Sequence, residues 1–187
     1  MTGLYGIIGV TNASGTLGAD IFTRLLRSRA LPLALDNVEY TGSALCDKLQ
    51  SVEGSAEFEY KHVDLSDSES VKEALKEYST LQGLVHVLNP GSDFEVFRKQ
   101  AEHIHAFSRV NGSVVYVGMA KKKDELSLFD DLESMLRSGG KPRYNGVVAV
   151  THGGSYHPDN VTEAVHFLLS DFSKGLREQV LLVGADY

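Results

Sequence analysis

The sequence holds no tryptophan, one cysteine and four prolines among 187 residues. A single cysteine, Cys46, excludes an intrachain disulfide, so packing alone must hold the chain together. Without a second cysteine or a His-Glu-x-x-His spacing, a metal centre is not expected. His103 and His105 lie on a predicted helix at a spacing that turns them apart, so they do not form a ligand pair. No apolar run approaches the ~20 residues of a membrane-spanning helix. The first ten residues carry no basic segment of the kind that opens a signal peptide, which makes the cytoplasm the expected compartment. Positive charge is also scarce: 18 Lys and Arg stand against 25 Asp and Glu, a formal net charge of −7. A nucleic-acid or anionic-membrane partner is therefore not expected. Ser14 sits in Asn12-Ala13-Ser14-Gly15, which is not the Gly-x-Ser-x-Gly elbow of a hydrolase.

What the sequence does have is alternation. Apolar runs over 4–10, 31–35, 58–63, 84–88, 113–117, 146–150 and 180–183 read as strands. Amphipathic stretches lie between them, at 17–29, 43–52, after Ser66, 94–110, 126–137 and 158–169. Ser66 with Glu69 reads as a capping box and Asp93 as an N-cap. Asn111-Gly112 reads as the turn that opens the fifth strand, and Gly139-Gly140 as a helix stop. Strand-helix repetition predicts one α/β domain over residues 1–187. Its architecture is a Rossmann-type doubly wound parallel sheet of about seven strands, helices on both faces, starting from the order 3-2-1-4-5. No repeat, linker or low-complexity segment interrupts it. Lys121-Lys122-Lys123 is the one basic run, read as a solvated loop or a contact for an acidic carrier protein or phosphate.

In such a sheet, ligands bind at the carboxyl ends of the strands beside the first crossover. That turn reads Thr11-Asn12-Ala13-Ser14-Gly15-Thr16-Leu17-Gly18. It resembles the Thr-Gly-x-x-x-Gly-x-Gly turn of the short-chain dehydrogenase/reductase family. Asn12 replaces the first glycine and Thr16 the second. Asparagine tolerates positive φ, whereas β-branched Thr16 stands where a pyrophosphate would approach. Asp36, at the end of the second strand, is placed to bind a ribose 2′-hydroxyl and so favours NAD over NADP. Further along, Asp64-Leu65 resembles the family's adenine-contacting segment. Asn89-Pro90-Gly91 is similar to part of its Asn-Asn-Ala-Gly motif. Pro158-Asp159-Asn160-Val161 through Phe167-Leu168-Leu169-Ser170-Asp171 resembles its last helix. The resemblance covers nearly the whole chain and is to the 3-oxoacyl thioester reductases among others. It implies NAD or NADP, if any cofactor, held by Thr11, Asn12, Ser14, Gly15, Leu17, Gly18, Asp36, Asp64, Leu65, Asn89 and Gly91.

The family's chemistry needs a serine and a Tyr-x-x-x-Lys pair, with the tyrosine as acid and the lysine lowering its pKa. The residues four places after Tyr5, Tyr40, Tyr60, Tyr78, Tyr116, Tyr144 and Tyr156 are Gly9, Ala44, Asp64, Gln82, Ala120, Val148 and Asn160. Tyr187 ends the sequence. Gly118-Met119 stand where the family has serine, and the helix over 126–137 has neither tyrosine nor lysine. Two readings follow. In one, the chain is a noncatalytic subunit, homo- or hetero-oligomeric with a related subunit, in acyl or polyketide-type metabolism. In the other it is an oxidoreductase with a reassigned acid, for which Tyr116, Tyr156 and His157 are the candidates. A nucleotide-sensing regulator is a third. The region 160–183 matches the part through which relatives pair, so a dimer through that end is expected.

Overall fold

The computed structural model describes residues 4–52 and 57–184. The strands are β1 (Tyr5–Thr11), β2 (Arg29–Asp36), β3 (Glu59–His62), β4 (Thr80–Val87), β5 (Arg109–Lys121), β6 (Arg143–Thr151) and β7 (Val180–Val183). Between them run α1 (Thr16–Leu26), α2 (Ala44–Gln50), α3 (Ser68–Ala74), α4 (Phe94–Phe107), α5 (Glu125–Glu133) and α6 (Pro158–Leu169). All seven strands join one parallel sheet in the order β3-β2-β1-β4-β5-β6-β7. The doubly wound arrangement expected from the alternation is therefore present.

Two cores sandwich the sheet. On one face, Leu17, Ile21, Phe22 and Leu25 of α1 pack with Leu45 of α2 and with Val161, Val165 and Leu168 of α6. On the other, Val71 of α3, Phe97, Ala101 and Ile104 of α4 and Leu132 of α5 cover β4, β5 and β6. The 3–4 spacing of these apolar residues is what makes each segment helical and fixes the stripe it buries. The central strands are buried on both sides, which is why β4 to β6 read as continuous apolar runs.

Several local readings change. α4 ends at Phe107, with Arg109 and Val110 already in β5, and α5 ends at Glu133, so Gly139-Gly140 is not its stop. α1 ends at Leu26, and Arg29, expected to close it, opens β2. The N-cap of α3 is Asp67, whose carboxylate accepts from the Glu69 amide at 3.1 Å, rather than Ser66. The Ser66 amide instead donates to Asp64 Oδ1 at 2.9 Å. Asn111-Gly112 is not a turn: β5 runs straight through it. The pairing of β4 with β5 slips between Leu81 and Gly83, and a Cβ at Gly112 would sit 2.4 Å from the Gln82 carbonyl oxygen. Glycine is needed there because the two backbones approach closely at the irregularity.

Candidate functional site

The strand order reverses between β1 and β4, and the crevice there is the expected ligand position. Its floor is a closed network. Thr11 Oγ1 accepts the Val87 amide at 2.8 Å and donates to His86 Nδ1 at 2.8 Å. The tautomer follows from the other ring nitrogen, because Nε2 lies 2.8 Å from the Phe97 carbonyl and must carry the proton it donates. His86 is fully buried and stacks on Phe97 with ring centroids 4.0 Å apart. Burial pushes its pKa down to about 4. Thr11 therefore joins two strands and does not face a ligand.

Above that floor, Asn12 takes φ 50°, the left-handed conformation its residue type allows, and its side-chain amide donates to the Val87 carbonyl at 2.5 Å. The Gly15 amide closes the turn on the Asn12 carbonyl at 3.0 Å. Leu17, in the first turn of α1, is buried in the core. A Cβ on Gly18 would come within 2.1 Å of the Asn12 carbonyl oxygen, so the helix can lie this close to the turn only on glycine. Thr16 is exposed at the first position of α1, and no side chain caps that helix N-terminus. This end retains the dipole and free amides that favour a phosphate.

The ribose end is different. Asp36 is only 2% exposed, and its Oδ2 accepts from the Ser14 amide at 2.9 Å and the Ser14 hydroxyl at 2.6 Å. Its Oδ1 faces the Val38 amide at 3.3 Å. The carboxylate expected to read a 2′-hydroxyl thus holds the turn in place. Asn89 closes the crevice from the other side: a Cβ on Gly15 would lie 3.0 Å from its Oδ1. The space lined by Asn12, Asn37, Asn89 and Gln100 is about 160 Å³, below the roughly 300–1,000 Å³ of most small-molecule sites. Asp64 caps its own turn, and buried Leu65 uses its carbonyl to accept from His103 Nδ1 at 2.8 Å. The residues present fit the phosphates of a dinucleotide but not its adenosine ribose, and so do not fit the whole cofactor.

A larger cleft of about 630 Å³ opens at the carboxyl ends of β4, β5 and β6. Asn89 and Gly91 form its near wall, Met119 and Lys121 its floor, and α5 its far wall. Asp124, the residue before α5, lines it together with the α5 face that carries Ser127, Leu128 and Asp131 at helical spacing. Among the lining residues there is no tyrosine, histidine or cysteine. Leu128 reaches back to the sheet, where a Cβ on Gly118 would meet its Cδ2 at 3.0 Å. Apolar packing therefore fills the place beside Gly118 where a serine would stand.

The three candidate acids lie elsewhere. Tyr116 is not at a strand end: it sits mid-β5, 1% exposed, with its hydroxyl 3.4 Å from His105 Nε2, and burial raises its pKa. Tyr156 donates to Asp20 Oδ2 at 2.5 Å, and Asp20 also pairs with Lys48 of α2. Burial raises the Tyr156 pKa as well. His157 is the exposed N-cap position of α6 and does not line the cleft. Nothing in the sequence signals the Ser14–Asp36 or Tyr156–Asp20 pairing, because each joins residues far apart in the chain.

No family model matches the sequence, and no curated protein matches it. Solved structures do. A short-chain dehydrogenase from Mycobacterium smegmatis is similar at a TM-score of 0.68 with 19% identity, covering 100% of this chain and 95% of that one. The citronellol catabolism dehydrogenase AtuB of Pseudomonas aeruginosa PAO1 gives 0.72 and 18%, over 97% and 95%. The ligand-free aldohexose dehydrogenase of Thermoplasma acidophilum gives 0.67 and 16%, over 97% and 93%. The chain thus has the short-chain dehydrogenase/reductase fold along nearly its whole length.

Proposed function

We propose that this protein is a shortened short-chain dehydrogenase/reductase that has lost hydride-transfer chemistry and acts as a noncatalytic subunit. Its setting is acyl or polyketide-type metabolism in the cytoplasm, paired with a second copy or a related active subunit. The observation that carries this reading is the cleft wall. Where a reductase needs a proton donor, Asp124 and the α5 residues Ser127, Leu128 and Asp131 line the wall, and Leu128 packs on Gly118. A carbonyl bound there meets no tyrosine or histidine as its acid, and the loss of a positioned general acid costs roughly 10²–10⁴ in rate. The alternative, an oxidoreductase with a reassigned acid, is supported less well, since Tyr156 is held by Asp20 and Tyr116 is buried. Among the described residues no helix is long and apolar enough to cross a membrane.

The test is a titration of the pure protein with NADH and NADPH by fluorescence and calorimetry, with a 3-oxoacyl thioester turnover assay alongside. The expected result is no turnover, and no saturable binding of either cofactor up to about millimolar concentration, where binding free energy is only ~4 kcal/mol. Tight, saturable binding with turnover would overturn the reading.

A further inference from the structure

The amino-terminal end of the sheet carries a second concavity. It lies at the amino ends of β4, β5 and β6, between the last turn of α4 and the segment after α5, and measures about 470 Å³. Arg109, Arg137 and Lys141 line it together with His105 and Tyr144, and no carboxylate does. Among the described residues, none of these three cations makes an ion pair, although nine such pairs form elsewhere. In a chain of net charge −7, three exposed cations without an ion pair around one hollow run against the overall balance. The carbonyl end of α4 contributes a partial negative charge of about one half, which is small against three full positive charges. The guanidinium of Arg137 stands 5.8 Å above the Tyr144 ring, and the His105 and Tyr144 rings are 5.9 Å apart. A flat, cation-backed wall results, and Arg177 adds charge nearby by donating to the Gly140 carbonyl at 2.5 Å.

We infer that this pocket binds a small phosphate-bearing anion, with Arg109, Arg137 and Lys141 as its charge partners and Tyr144 as its floor. Guanidinium forks match phosphate oxygens in a bidentate fashion, and the volume admits a phosphorylated molecule of metabolite size. The site is separate from the carboxyl-end cleft and does not depend on how that cleft functions. His105 supplies an internal reporter. Burial first, and the charge of Arg137 second, hold its pKa down to about 4, so an anion beside it raises that value.

Inorganic pyrophosphate is the probe. It is titrated into the full chain by calorimetry while the His105 ring is followed by NMR. The expected result is saturable binding that raises the His105 pKa along the same isotherm, which separates this pocket from any binding at the N-terminus of α1. Arg137→Gln should weaken binding about tenfold, the loss of one charge-assisted contact, while Lys123→Gln at the other end changes it less than about twofold. No saturable binding, or equal sensitivity to both substitutions, would overturn the inference.

Discussion

Asp36 Oδ2 accepts two hydrogen bonds from Ser14, one from the amide and one from the hydroxyl, across the turn that joins β1 to α1. A buried carboxylate with its donors in place stabilises the turn, and removing it orphans them. Asp36→Ala should therefore destabilise the fold by about 2 kcal/mol, and Ser14→Ala by about 1 kcal/mol. Urea denaturation reads both. If Asp36→Ala left stability unchanged while weakening NADH binding, the acid would be a ribose ligand after all.

His86 gives the pH dependence. Its folded pKa is about 4, below the ordinary 6.5, so the unfolded chain binds the proton more readily. Stability from this group is complete above pH 6.5 and is lost as pH falls toward 4. From pH 7 to pH 5 the loss is about 2 kcal/mol for His86 alone, in order of magnitude. His105 titrates in the same sense. His86→Phe keeps the stack on Phe97 but strips partners from Thr11 and the Phe97 carbonyl. It should cost about 1–3 kcal/mol at pH 7 and flatten the slope between pH 7 and 5. An unchanged slope in that variant would assign the dependence to other groups.

The two glycines of the first turn separate packing from conformation. Gly18→Ala would drive a Cβ into the Asn12 carbonyl, which is backbone and cannot yield, so a loss of about 3 kcal/mol or more is expected. Gly15→Ala meets the Asn89 side chain, which can rotate away, and should cost about 1 kcal/mol or less. Thermal melts of the two variants rank them. Equal melting temperatures would mean that the turn is more plastic than its geometry implies.

The strands were legible because β4, β5 and β6 bury both faces and so read as apolar runs, and α6 because Pro158 marks its first turn. Asn111-Gly112 misled because its local turn propensity is overridden by pairing with β4, which needs Gly112 for close approach to Gln82. The turn residues could be placed from their spacing. Which partner each side chain would take could not, since Asp36 meets Ser14 and Tyr156 meets Asp20 only after the sheet has assembled. The apolar run over 113–117 understates β5, which extends from Arg109 to Lys121 and leaves the candidate acid Tyr116 in its middle.

Pairing through the last helix and strand is the remaining expectation. β7 is the sheet's edge, with an open row of backbone groups on its outer side. Exposed apolar side chains occur on the elements around it: Phe167 on α6 is 41% exposed, Phe172 in the following turn 70% and Leu182 on β7 45%, with Leu182 facing away from α6 because its neighbours Leu181 and Val183 pack on the α6 side. Isolated exposed hydrophobics are ordinary, so the expectation rests on the open edge of β7, with Leu182 on it and Phe167 on the neighbouring helix. A symmetric dimer would bury the same patch on both copies. Sedimentation velocity at micromolar concentration should show a dimer. Phe167→Glu together with Leu182→Glu should shift it to monomer without loss of helical signal, because neither side chain belongs to the buried core. A monomer for the unsubstituted protein would leave a related subunit as the partner for this edge, to be sought by mixing the two and repeating the run.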